Sequence, residues 1–281
     1  MDTSAEYLLT DFNGELLEIK NLPTLPSVLE EMNQMIDNPD ISPEQLAELL
    51  AKDHVISSTL LKLVNSPIYG FHGKISSVQH ALVLLGFNLV RSLLLSTTIF
   101  ENLPPGLNKL WDHSVAVSLA SAEIAKVMHF KDPGEFAVAG LLHDIGKVVI
   151  ADQLPQAREK ICQMVKDEDL TMLEAERQVL GFGHDKINAW VAAAWGLPPS
   201  LSDGISYHHD PYSAPNCPLH AACVQFGDFL AKVFQQGFGG DDQAPEVCPQ
   251  SFKMLGISRE NIIAILDGVG EKFSKISGFT L

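Results

Sequence analysis

Positive charge is scarce in this chain. Nineteen Lys and Arg stand against thirty-five Asp and Glu among 281 residues, for a formal net charge of −16. No basic run occurs anywhere, so neither nucleic acid nor an anionic membrane surface meets a complementary patch. Cysteine is sparse as well. Cys162, Cys217, Cys223 and Cys248 make no C-x-x-C pair, which excludes a disulfide scaffold and points to a reducing cytoplasm. The longest apolar stretch, Ala81 to Leu95, is interrupted by Asn88 and Arg91 and is too short to span a bilayer. The opening residues Met1-Asp2-Thr3-Ser4-Ala5-Glu6 are acidic and polar, which is wrong for a secretory signal. No Walker-type glycine loop and no G-x-S-x-G elbow is present.

What remains is abundant helix signal. Hydrophobic residues make up 46% of the chain, enough for a sizeable core in one large domain or two small ones. The apolar spacing is helical throughout and predicts an all-α protein, with no convincing alternating strand. Helices are expected near 26–38, 43–52, 54–65, 77–85, 88–100, 108–129, 133–150, 154–167, 172–181, 185–195, 199–209, 218–235 and 259–275. Ser42-Pro43-Glu44-Gln45 and Thr171-Met172-Leu173-Glu174 read as capping boxes, and Ser76 or Ser77 caps a helix that Gly86 ends. Residues 5–18 fit either a short helix or a hairpin. The Gly-, Asp- and Pro-rich tract from Gln235 to Pro249 reads as a mobile surface loop.

The chemistry is concentrated after residue 110. Four stretches carry His beside Asp: Asp112-His113, His143-Asp144, His184-Asp185 and His208-His209-Asp210. Asp228 follows on an otherwise apolar stretch. The apolar run Val138-Ala139-Gly140-Leu141-Leu142 carries His143-Asp144 into the interior, where a carboxylate beside an imidazole is costly unless something satisfies both. A divalent cation would do so. Imidazole and carboxylate suit Fe, Mn, Ni, Zn or Co, and the lack of thiolates argues against a structural zinc site. Lys147 lies at i+4 from His143, on the same side of the expected helix, where it could hold a phosphate oxygen. A water acidified by the ion would be the nucleophile. Asp112, Asp185 and Asp210 read first as capping or solvated acids, with orientation of the neighbouring imidazoles as the alternative, and His54, His72, His80, His129 and His220 read as structural. Residues 1–105, ending near Leu103-Pro104-Pro105-Gly106, form an N-terminal helical lobe without ligands. Residues 106–235 hold the site, and 236–281 supply a loop and a C-terminal helix.

The order His113, His143-Asp144, Asp228 resembles the ligand signature of the HD superfamily of metal-dependent phosphohydrolases. The first half resembles its HDOD branch, through Leu22-Pro23-Thr24-Leu25-Pro26, the helix start at Asp53, Leu63-Val64-Asn65-Ser66-Pro67-Ile68-Tyr69-Gly70, and Ile75-Ser76-Ser77-Val78-Gln79-His80-Ala81 leading to Leu85-Gly86. The likeness runs from about residue 20 to 230. The resemblance implies an all-helical HDOD unit, in a family whose members often serve as signalling modules and in many cases have lost the ligands. A second likeness, to the HD-GYP branch, covers Leu141 to Lys147, His184 and His208-His209.

By these resemblances His113, His143, Asp144 and Asp228 would hold a first ion. His184, His208 and His209 would hold a second, with Asp144 bridging and Lys147 on substrate phosphate. The Gly-Tyr-Pro element of HD-GYP enzymes is missing after His209, which argues against cyclic-di-GMP as substrate. Lys109 stands four residues before His113, where some relatives carry an acid, which disfavours a third ion.

Two main readings follow. The chain is a phosphohydrolase with one or two divalent transition-metal ions, acting on a nucleotide or other small phosphorylated ligand. Alternatively it is a non-catalytic HDOD regulatory module that keeps the metal and contacts a signalling partner through residues 20–105. A purely structural domain with an empty site is a third reading. No receiver, kinase or cyclase sequence is attached, so the unit is expected to stand alone or act in trans.

Overall fold

Local capping signals act where the sequence places them. The Ser42 hydroxyl accepts the Gln45 N–H at 3.3 Å while the Gln45 side chain accepts the Ser42 N–H at 3.0 Å. Thr171 and Glu174 form the same reciprocal pair, and Ser77 caps its helix through the His80 N–H. Each of these side chains satisfies N–H groups that the first turn of a helix cannot.

The computed structural model describes residues 7–10, 16–19, 27–36, 41–65, 75–100, 103, 104, 106–241, 243 and 249–274. Leu22-Pro23-Thr24-Leu25-Pro26, Ser66 to Gly70, His72 and Cys248 lie outside the described residues. Among the described residues the chain is all-α apart from a hairpin, β1 (Tyr7–Thr10) and β2 (Leu16–Ile19), antiparallel with Tyr7 opposite Ile19 and Thr10 opposite Leu16. That settles the choice left open at residues 5–18.

The helices of the first half are α1 (Ser27–Ile36), α2 (Pro43–Ala51), α3 (His54–Val64), α4 (Val78–Leu85) and α5 (Phe87–Phe100). Those that build or flank the site are α6 (Asn108–Val127), α7 (Pro133–Leu142), α8 (Ile145–Gln153), α9 (Pro155–Glu168), α10 (Met172–Leu180), α11 (His184–Ala194), α12 (Pro199–Ser206) and α13 (Pro218–Val233). Two more, α14 (Pro249–Leu255) and α15 (Arg259–Phe273), complete the described chain. The sequence reading had no helix at α14. Among the described residues, no helix is long and apolar enough to cross a membrane.

α6 is the axis of the second half. From Trp111 to Ala125 every residue except Asp112 is buried, so this helix is enclosed on all sides rather than amphipathic. It packs against α7, α13 and α15. Small residues make the approach close: Gly140 of α7 and Gly227 of α13 both abut the Ser121 hydroxyl. One hydrophobic core runs from Leu46 and Leu60 through Leu93 to Val138 and Ile265. Arg91 of α5 joins the halves by donating to the carbonyls of Trp195 and Gly196, the latter at 3.0 Å, at the end of α11.

One helix of the sequence reading is corrected. The segment expected to run unbroken from 133 to 150 divides at His143-Asp144, between α7 and α8. A break in the interior frees backbone groups that water cannot reach. Asn188 of α11 takes them up. Its amide donates to the carbonyls of His143 and Ile205, the latter at 2.7 Å, and its carbonyl oxygen accepts the Gly146 N–H at 2.7 Å. Gly146 permits this approach, because a Cβ there would stand 2.4 Å from the His184 carbonyl oxygen. Asn188→Ala strands a buried N–H and a buried carbonyl, so it should lower the unfolding free energy by about 3 kcal/mol. Urea denaturation reads this directly, and an unchanged midpoint would show that the break is satisfied some other way.

Candidate metal centre

Five segments deliver the candidate side chains. His113 lies in the second turn of α6 and Asp228 on α13. His143 and Asp144 form the break between α7 and α8, which turns both toward one interior point where an unbroken helix would splay them about 100° apart. His184 is the first residue of α11, and His208-His209 follow the end of α12. His113, His143, Asp144, His184, His208 and Asp228 are each at most 4% exposed, and His209 is half-buried. All seven predicted ligands converge.

They fall into two clusters sharing a wall. The ligand atoms of His113, His143 and Asp228 lie within 4.8 Å of one another, as do those of His184, His208 and His209. Asp144 stands between them. Its Oδ2 is 3.3 Å from His143 Nε2 and 3.8 Å from His113 Nε2, while Oδ1 is 3.2 Å from His184 Nε2. His184 Nε2 is itself 3.0 Å from His209 Nε2 and 3.4 Å from His208 Nε2.

Three of the imidazoles are oriented from behind. His143 Nδ1 bonds the Gly140 carbonyl at 2.7 Å, His208 Nδ1 the Ile205 carbonyl at 2.8 Å, and His184 Nδ1 the Glu176 carboxylate at 2.6 Å. An oxygen acceptor keeps the proton on Nδ1 and turns the Nε2 lone pair inward, as a metal ligand requires. Glu176 was missed by the sequence reading, which used only its neighbour Glu174. It is 1% exposed and also accepts the His184 N–H at 2.7 Å, so one oxygen both caps α11 and aims its first side chain. None of the three acids adjacent to the histidines has this role. Asp112 is exposed, Asp185 pairs with Arg177 at 3.3 Å, and Asp210 accepts the Ser213 hydroxyl. His220 is stacked on Phe136 at 3.9 Å, in keeping with a structural part.

The electrostatics are those of a site short of positive charge. Burial resists ionisation of Asp144, yet the His143 imidazole and the Lys147 ammonium outweigh it and hold the carboxyl well below its ordinary range. Asp228 is likewise buried and likewise held low, with Lys232 and His113 as its counterweights. Burial, reinforced by neighbouring imidazoles, pushes His208 and His209 well down, so both keep free lone pairs. Burial also opposes protonation of His184, but Glu176 with Asp144 prevails and raises it to about 9. His113 Nε2, His143 Nε2, Asp144 Oδ1 and Asp228 Oδ1 are buried without a hydrogen-bond partner. His113 Nε2 and Asp228 Oδ1 are only 3.0 Å apart, but side by side rather than aligned through a proton. Orphaned lone pairs of this kind are costly in a protein interior, and a divalent cation satisfies them together. The donor set therefore fits a hard-to-borderline metal.

Lys147 and the segment after α13 close one side. Lys147 Nζ donates to Asp144 Oδ2 and to the Gly239 carbonyl, both at 2.7 Å. The tract from Gln235, expected as a mobile surface loop, is instead tied down over its described part. Phe238 N–H donates to the Lys109 carbonyl at 3.0 Å, and buried Asp241 accepts from Lys232 at 3.0 Å and from the Met172 N–H at 2.8 Å. Gly237, at φ +72°, lies on the His113 backbone where a Cβ would come within 2.2 Å. Composition marked the tract as loop, but the anchors at Lys109 and Met172 are distant in sequence and left no local signal.

A helical protein that gathers buried His and Asp side chains inside a bundle presents groups that could hold a metal ion. The matching family model, described as HDOD domain, covers residues 22–211, and the chain belongs to that family. The solved HDOD domain protein of unknown function from Geobacter sulfurreducens is 27% identical, with a TM-score of 0.74 over 93% of this chain and 95% of that one. A protein of Shewanella amazonensis SB2B, proposed to be a phosphohydrolase, is 25% identical with a TM-score of 0.66 over 92% and 91% of the two chains. An uncharacterized protein of Treponema pallidum (strain Nichols) is 27% identical over 203 residues, 70% of this chain, and the chain spans only 39% of that relative's length.

Glu176→Gln tests the electrostatic account. In chelator-treated protein, His184 should titrate well below about 9, toward the ordinary imidazole value of 6.5, when followed by NMR. The sign for stability follows from the raised value. In the metal-free protein the His184 contribution is complete below about pH 6.5 and is lost as pH rises through about 9. Glu176→Gln should flatten that alkaline decline, and an unaltered titration would remove Glu176 as its cause.

Proposed function

We propose that the chain is a metal-dependent phosphohydrolase, with His113, His143, Asp144 and Asp228 holding one divalent ion and His184, His208 and His209 a second. Asp144, whose two oxygens face different clusters, would contribute to both. The observation that carries this reading is the inward set of three Nε2 atoms, each fixed by an oxygen behind its Nδ1. A divalent ion held there supplies Lewis acidity, lowering the pKa of a water and polarising a phosphoryl oxygen.

The rest is done by the chain. Asp144, ionised and facing both clusters, balances the added charge. Lys147 stays protonated: burial opposes its charge, but Asp144, Glu176 and Asp241 more than offset that. An ammonium has three protons, and two of those of Lys147 are used by Asp144 and Gly239, so one remains for a phosphoryl oxygen. Preorganised positive charge aimed at a phosphoryl group stabilises the negative charge that develops on it. The Gly237–Gly239 segment shields His113 and limits competing water. The likeness to the Shewanella protein supports the same class, as does the donor set.

One observation favours a second reading, a regulatory HDOD module that retains metal without turnover. The 237–241 segment already packs on His113 and occupies Lys147, as a locked site would. In that case partners would contact residues 20–105, where Val83 and Leu84 of α4 stand 62% and 51% exposed.

Elemental analysis of unchelated protein should find one or two divalent ions per chain, and His208→Ala should reduce that content. Turnover of an aryl phosphodiester by the loaded protein should fall about a hundredfold or more in Asp144→Ala. Metal content with no turnover above the Asp144→Ala control would establish the regulatory reading, and no metal at all would refute both.

A further inference from the structure

A cavity of about 110 Å³ adjoins the metal centre on the side of Lys147 and Glu176. Its apolar wall includes Leu107, Leu110, Ile161, Met172 and Phe238. Three cations line it: Lys147 on the inner side, with Lys109 and Arg158. In a chain of net charge −16 this grouping is unusual. The one acid in the lining, Glu176, is committed to His184 at 2.6 Å. Among the described residues no carboxylate pairs with Lys109 or Arg158, although acids outnumber bases thirty-five to nineteen in the chain. Lys109 is exposed and Arg158 intermediate, so both can stay hydrated until an anion arrives.

We propose that this cavity binds a small organophosphate carrying a second anionic group, with its phosphoryl end at Lys147 and the second anion on Arg158 and Lys109. A planar guanidinium pairs with a carboxylate or phosphate through two parallel hydrogen bonds, and an ammonium adds a point charge. The apolar wall between the two ends suits a short carbon linker. No amide or hydroxyl side chain lines the cavity, so its polar side-chain recognition comes from charged groups, which suit an anionic ligand. Only the position of the phosphoryl end rests on the hydrolytic reading. Lys109 thus gains a part in ligand selection.

Calorimetric titration of the whole, metal-loaded chain tests this with two probes that share a phosphate. 2-Phosphoglycolate ends in a carboxylate, and ethyl phosphate ends in a methyl group. Phosphoglycolate should bind about tenfold more tightly, the worth of one charge-assisted pair. Arg158→Gln should erase the preference and Lys109→Gln should reduce it, with ethyl phosphate binding unchanged in both. Equal affinities in the unmodified chain, no binding of phosphoglycolate, or a preference indifferent to both substitutions would overturn the proposal. The readout is binding, so a failure of turnover bears on the hydrolytic reading alone.

Discussion

The break between α7 and α8 is the constraint on which the rest depends. A helix interrupted in the interior leaves polar backbone groups that must find partners, and Asn188 supplies them. The same side chain reaches the Ile205 carbonyl, which also accepts from His208 Nδ1. One amide therefore links the break carrying His143 and Asp144 to the end of α12, and through α11 to His184. The site is positioned by backbone satisfaction first and by its own side chains second.

That scaffold tolerates an otherwise unfavourable interior. Ionised carboxylates and neutral imidazoles lie together with several lone pairs unmatched. Glu176 leaves His184 protonated in the absence of metal, so a proton occupies part of the place a cation would take. Metal uptake would then displace that proton, coupling affinity to pH in the sense expected of imidazole ligands. Lys147, Lys232 and the 237–241 segment balance the remaining acids from one side. The HDOD fold thus holds here a buried polar cluster whose unmatched groups are costly unless something satisfies them.

Much of this was legible before any coordinates. His143-Asp144 was marked by the apolar run that delivers it, and Asp228 by its apolar neighbours, because burial of an acid is informative wherever it occurs. The capping boxes at Ser42 and Thr171 formed as read, since their partners are three residues apart. Three features were not legible. Glu176 looked like one more acid on an amphipathic helix, and Asn188 like a neutral position in α11. The segment after Gln235 looked like a mobile surface loop, because its composition gave no sign of the contacts that hold it.

The sequence by itself determined the helical class, the family and the residues of a candidate metal site, because periodicity, capping and residue chemistry are local properties. It did not determine that α7 and α8 separate at His143, that Glu176 and not an adjacent Asp orients His184, or that Gly239 takes a bond from Lys147. Those depend on which distant groups arrive at 2.5–3 Å after packing. Satisfaction of buried polar atoms is a property of the folded whole, and only the tertiary structure decides it.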